Sequence, residues 1–139
     1  MNYYALIIGI VVATYVIFRL RTTKLEKKKW IYPVFLATFP IYYWVFALYA
    51  SDYGALVNEL AVGFGFLAIA YLAYRLNSIM GLMLLAIGYV AHGVYDIIHN
   101  SLFNNAGTPL WWPEFCGAVD VMIGLYLTYL SLSKNQRKS

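Results

Sequence analysis

Five apolar runs, each close to the length of a bilayer crossing, constrain this chain more than any other feature. They lie at about 3–18, 30–50, 56–74, 79–98 and 113–132. A helix needs roughly 20 mostly apolar residues to cross about 30 Å of hydrocarbon. In a chain of 139 residues, five such runs leave only short connections. Charged residues make up 12% of the chain, against about 25% in an ordinary soluble domain. That balance excludes a soluble globular domain and a disordered chain. One cysteine, Cys116, excludes an internal disulfide. The expected fold is all-α: a polytopic integral membrane protein with five transmembrane helices, forming a single transmembrane domain over 1–139. Its expected location is the cell membrane, as a multi-pass protein.

The cations set the expected orientation. All ten lie beside the ends of apolar runs: Arg19, Arg21, Lys24, Lys27, Lys28 and Lys29, then Arg75, then Lys134, Arg137 and Lys138. Cytoplasmic connections are enriched in Lys and Arg. Five spans with the N-terminus outside and the C-terminus cytoplasmic put every cation on the cytoplasmic side. A four-span arrangement leaves the 19–29 segment or the tail on the wrong side. The first run has its basic flank after it and no small-residue cleavage site, so it reads as a retained helix. The clusters read as topology signals toward anionic lipid headgroups, and no nucleic-acid partner is expected.

The acids show the opposite bias. Glu26 lies among the inner cations. Asp52, Glu59, Asp96, Glu114 and Asp120 map to the outer connections or the outer halves of spans, as do His92 and His99. The fourth run carries the densest pattern, His92-Gly-Val-Tyr-Asp96-Ile-Ile-His99. Steps of four and seven return to nearly one face of a helix, so His92, Asp96 and His99 form a stripe. If the third, fourth and fifth helices pack together, Glu59 and Asp120 reach similar depth.

A mid-helix ionisable residue costs about 2.5–3.5 kcal/mol on insertion scales. Several of them without a cationic partner call for protonation, hydrogen bonding or a metal ion. Histidine and carboxylate suit zinc or iron. The expected metal ligands are His92, Asp96, His99 and Asp120, and the expected catalytic groups are Glu59, Asp96 and Asp120. Two alternatives stay open: a buried polar network joining helices, and a metal-free acid–base site or ion path. The pattern also predicts a pocket bounded by the third, fourth and fifth helices and open outward or toward lipid.

On the second run, Tyr32, Phe35, Phe39, Tyr42, Phe46 and Tyr49 form an aromatic stripe. It reads as packing or lipid contact, or as one wall of an apolar substrate pocket. Gly63, Gly88, Gly93, Gly117 and Gly124 suit close helix contact. Asn58 and Asn100 are expected to bond the site or to cap helices. No phosphate-binding glycine loop, Gly-x-Ser-x-Gly nucleophile or cysteine pair is present.

The His-x3-Asp-x2-His helix, followed by Pro113-Glu-Phe-Cys116 and Asp120, resembles a family of small multispanning prokaryotic membrane proteins of unknown function. Glu59-Leu-Ala-Val-Gly63 fits the same pattern. The resemblance covers about residues 56–130. It implies that Glu59, His92, Asp96, His99 and Asp120 form one site, and implies no activity.

The leading expectation is a small integral-membrane enzyme acting on a lipid or isoprenoid-like substrate near the outer leaflet. With a metal it would be a hydrolase or oxygenase. Without one it would be an acid-catalysed isomerase or cyclase. The alternatives are a proton or metal-cation transporter or channel component, and a structural or partner-binding subunit. The expected partners are membrane lipids and further copies of the chain in a homo-oligomer.

Overall fold

Hydrocarbon offers no hydrogen-bond partners, so an apolar run must satisfy its own backbone as a helix. The computed structural model describes residues 1–76, 78–102 and 104–136. Helices α1 Tyr3–Thr22, α2 Ile31–Tyr49, α3 Tyr53–Arg75, α4 Ser78–Leu102 and α5 Trp112–Gln136 account for most of them. One 3-10 turn, Leu25–Lys27, lies between α1 and α2. All five helices are long and apolar enough to cross a membrane, consistent with a polytopic membrane protein.

The helices run past the apolar segments. Helix α1 continues through Arg19 and Arg21 to Thr22, and cations are favourable in a last turn. Helix α4 continues to Leu102, which shortens the expected 100–112 connection. Helix α5 carries Lys134 in its last turn. Arg137 and Lys138 of the expected basic tail lie outside the described residues.

The ends are capped by short polar side chains. Asn2 accepts a hydrogen bond from the Ala5 N–H at 3.1 Å and starts α1. Asp52 does the same for Ala55 at 2.9 Å and starts α3. Asp52 is thus a cap, not part of the buried site. Between α2 and α3 the chain reverses within a few residues. Ser51 takes φ 55°, and the Asp52 N–H donates back to the Ala47 carbonyl at 2.9 Å. That six-to-one bond closes the end of α2. Pro33 falls in the first turn of α2, and Pro40 lies buried inside it.

Helix α4 is central. It packs most extensively on α5 and also on α3, while α1 lies on α5 and α2 on α3. Glycines set the closest approaches. A Cβ on Gly93 would sit 3.0 Å from the Gly117 carbonyl oxygen, and one on Gly63 would strike the Trp44 ring. The expected small-residue contacts are therefore real.

Burial is inverted relative to a soluble protein. Ile7, Val11, Val45, Phe64, Ile87 and Leu125 face outward, all more than half exposed. Glu59, His92, Asp96, His99 and Asp120 face inward. An apolar exterior, with the ionisable side chains buried inside an otherwise mostly apolar core, suits a hydrocarbon solvent and not water.

Candidate functional site

The site begins with α4. His92 and Asp96 lie one turn apart and face α5, which presents Asp120. His92 Nδ1 is 2.7 Å from Asp120 Oδ2 and 3.4 Å from Asp96 Oδ2. One ligand atom from each of the three lies within 4.8 Å of the others, so this group has the spacing to hold a metal ion. The Gly93–Gly117 crossing lies directly behind it: a Cβ on Gly93 would meet Asp120 Cβ at 3.1 Å, and one on Gly117 would meet Asp96 Cβ at 3.6 Å. Close helix approach is what brings the carboxylates together.

His99 belongs elsewhere. Seven residues along a helix is about 10 Å at 1.5 Å per residue, and the group with metal-holding spacing does not include His99. The structure instead sets His99 Nε2 2.7 Å from Glu59 Oε1 on α3. Asn105 donates to the same Glu59 oxygen at 3.1 Å, and the Tyr95 hydroxyl donates to Glu59 Oε2 at 2.5 Å. His99 Nδ1 lies 3.2 Å from Asn100 Oδ1, as expected for Asn100. Asn58 is exposed and takes no place in the site. The expected constellation is thus divided: His92, Asp96 and Asp120 form one group, and Glu59 and His99 another.

Tyr43 joins the two groups. Its hydroxyl donates to Asp96 Oδ1 at 2.8 Å. Its ring stacks on His99 with centroids 4.4 Å apart, and its carbonyl accepts from Asn105 at 3.1 Å. The expected aromatic stripe omits Tyr43 and includes Tyr42 and Tyr49, which are exposed. The inward face of α2 is Tyr32, Leu36, Phe39, Tyr43 and Ala47. Steps of three and four through Tyr32 and Phe39 pass through Tyr43, so the signal was present. Asn105 carries a turn-former's signature yet is only 3% exposed, and nothing in its neighbours announces that role.

Hydrogen bonding differs sharply between the groups. Both Glu59 oxygens have donors. Asp96 Oδ2 and Asp120 Oδ1 have no donor in hydrogen-bond geometry, nor has His92 Nε2 a partner, although all three are fully buried; Asp96 Oδ2 lies 3.4 Å from His92 Nδ1, and the Asp96 and Asp120 carboxyl groups are within reach of each other. His92 Nε2 lies among rings, with the Phe66 centroid 4.6 Å from the imidazole centroid. Among the described residues, no lysine or arginine pairs with Glu59, Asp96 or Asp120. Buried polar groups are normally satisfied, so two orphaned carboxylate oxygens side by side are unusual.

The donor set fits a transition metal. Imidazole nitrogen and carboxylate oxygen suit zinc and non-haem iron. Tetrahedral ligands at 2.0–2.1 Å lie about 3.4 Å apart, the spacing held between His92 Nδ1 and Asp96 Oδ2, whereas Asp120 Oδ2, at 2.7 Å from the same nitrogen, would have to move back to share an ion with it. Cys116 is a buried free thiol outside the group.

The expected open pocket does not surround these residues. Asp96, His99 and Asp120 have no exposure and Glu59 has 2%. The nearest apolar cleft, about 430 Å³, lies between α1, α4 and α5 and is lined by Leu6, Ile10, Ile97, Gly117 and Val121. It reaches the back of the Gly93–Gly117 crossing, not the carboxylates themselves. No family model, curated protein or solved structure matches the chain.

Proposed function

We propose that this is a multi-pass cell-membrane protein, N-terminus outside, whose working part is a zinc or iron site held by His92, Asp96 and Asp120. The observation that carries the reading is the buried His92–Asp96–Asp120 cluster, with one ligand atom from each within 4.8 Å of the others, in which Asp96 Oδ2 and Asp120 Oδ1 have no hydrogen-bond partner. Two adjacent carboxylates in low dielectric need a cation or a proton between them. The resemblance to small multispanning prokaryotic proteins belongs to the same proposal.

The proposed activity is metal-dependent chemistry on a lipid or isoprenoid-like substrate. The cleft behind the Gly93–Gly117 crossing supports this substrate class, because its lining is mostly apolar, Glu114 apart. A bound ion would supply Lewis acidity or an activated water. Tyr43 would fix the Asp96 carboxylate through its hydroxyl. Glu59, hydrogen-bonded to His99, Asn105 and Tyr95, would hold α3 against α4 beside the centre. Because the site is enclosed, α4 and α5 must part for a substrate to enter, and the glycine crossing is the place where they meet.

Transport is the weaker reading for one specific reason. Toward the lysine-bearing end, the interior is Leu85, Ala86, Ile123 and Leu127. Among the described residues no carboxylate or histidine is buried there. A conduction path needs polar steps on both sides.

Elemental analysis of the detergent-purified chain tests the centre. About one zinc or iron per chain is expected, lost in His92→Ala and Asp120→Ala. A folded, metal-free protein that takes up neither ion when supplied refutes the metal. Product analysis of lipid extracts, comparing the native chain with Asp120→Asn, tests the enzyme. A divalent-cation or proton flux in proteoliposomes that disappears in Asp96→Asn would replace it with transport. Labelling of Lys24→Cys from inside and Ala106→Cys from outside is expected from the orientation; the reverse inverts it.

A further inference from the structure

The opposite end of the bundle carries a second cavity, independent of the metal reading. It has a volume of about 140 Å³ and is enclosed by the 3-10 turn, the starts of α2 and α4, and the ends of α3 and α5. Lys27, Lys28, Lys29 and Lys134 line it, with Glu26, Tyr32 and Ser78. The volume is several times the roughly 30 Å³ share of one water. Ser78 opens the 25-residue helix α4. Gly81, Leu82 and Leu85 continue the lining, so the cavity lies along the side of the first two turns of that helix.

The polar inventory shows what is still unmet. Glu26 is engaged, since the Tyr126 hydroxyl donates to its Oε2 at 2.6 Å. Lys28 and Lys29 rest over the Trp30 and Tyr74 rings, at 5.9 and 5.4 Å. The Tyr32 hydroxyl is different. The residue is 2% exposed and lines the cavity, yet its hydroxyl has no hydrogen-bond partner. A buried hydroxyl without a partner carries a desolvation cost. Four lysines against one glutamate leave the lining with an excess of positive charge, which suits an acceptor that carries negative charge.

We propose that this cavity binds a phosphate group, with Lys27 and Lys134 supplying charge and the Tyr32 hydroxyl donating a hydrogen bond. The phosphate can come from the headgroup of an anionic lipid or from a free phosphate species. A merely cationic rim would attract any anionic surface without needing a buried hydroxyl. The tyrosine is therefore what separates a built site from general attraction.

Native mass spectrometry of the full chain in detergent tests this. The probes are dioctanoyl phosphatidylglycerol, dioctanoyl phosphatidylcholine and inorganic phosphate. Retention of phosphatidylglycerol over phosphatidylcholine, without competition from inorganic phosphate, is expected for a lipid headgroup. Binding of inorganic phosphate itself, displacing the lipid, identifies a free phosphate ligand. In either case Tyr32→Phe should weaken binding roughly tenfold, the share of one hydrogen bond to a charged group. Lys27→Gln with Lys134→Gln should weaken it further. The phenylalanine keeps the ring and removes only an unpartnered hydroxyl, so the fold should persist, checked by an unchanged Tm. Equal retention of both lipids, or native-strength binding by Tyr32→Phe, overturns the proposal.

Discussion

Two buried carboxylate–histidine groups sit within one helical bundle, and they are built differently. Around Glu59 every acceptor is met: His99 and Asn105 serve one oxygen and Tyr95 the other. Around His92, Asp120 Oδ2 takes the close contact with the histidine nitrogen at 2.7 Å, Asp96 Oδ2 lies 3.4 Å from the same nitrogen without a hydrogen bond to it, and Asp120 Oδ1 has no donor. A fully satisfied network fixes helices and resists change. An incompletely satisfied one holds binding capacity in reserve. The contrast teaches that an ionisable residue inside a membrane bundle is best judged by its unmet atoms and not by its charge alone. By that measure Glu59 and His99 are architectural, and His92, Asp96 and Asp120 are the candidate centre.

The largest expected effect would break the comparison outright. Metal content should fall from about one ion per chain to none in His92→Ala and Asp120→Ala, with zinc affinity at least 100-fold weaker. Glu59→Gln and His99→Gln should keep the ion. Competition against a chromophoric chelator reads both, and equal losses in the two sets would mean there is one group and not two.

Next comes stability. Removing one partner of a buried, hydrogen-bonded pair costs about 3–5 kcal/mol. His99→Leu, which strands Glu59, should be lowered by that amount in reversible detergent unfolding. Added zinc should not restore it. The native chain should gain about 2.7 kcal/mol at a zinc concentration 100 times Kd, and His92→Ala should gain nothing.

Tyr43→Phe sharpens the boundary between the groups. It removes one hydrogen bond to Asp96 and keeps the ring on His99. The expected cost is about 1.5–3 kcal/mol, together with zinc affinity weaker by 10–100-fold. A loss of stability with unchanged zinc affinity would place Tyr43 wholly in the architectural group. The smallest effect belongs to Asn58→Ala. That side chain is exposed, and its replacement should change stability by less than about 0.5 kcal/mol.

Much of the candidate centre was legible. His92 and Asp96 stand four residues apart, which places them on one helix face whatever the surroundings. Asp120 was legible as an acid in an otherwise apolar run, a costly placement. His99 misled, because a shared face was read as a shared site, whereas seven residues also mean two turns of axial separation. Tyr43 stands beside Tyr42 and Trp44. With aromatics on several faces of α2, its periodicity alone cannot say which one meets Asp96.

The sequence by itself determined the number of the helices, because hydrocarbon permits no open backbone hydrogen bonds. It also determined that acids and histidines gather toward one end of the spans and lysines toward the other, since position along a helix fixes depth. What it did not determine was which of those groups pair. Pairing depends on the rotation and crossing of α3, α4 and α5, and the Gly93–Gly117 contact between α4 and α5 is formed by residues far apart in the chain. Only the tertiary structure could give Glu59 its full set of donors and leave Asp96 and Asp120 each with an unmet oxygen. Hydrogen bonding acts over about 3 Å, a scale that local periodicity does not reach.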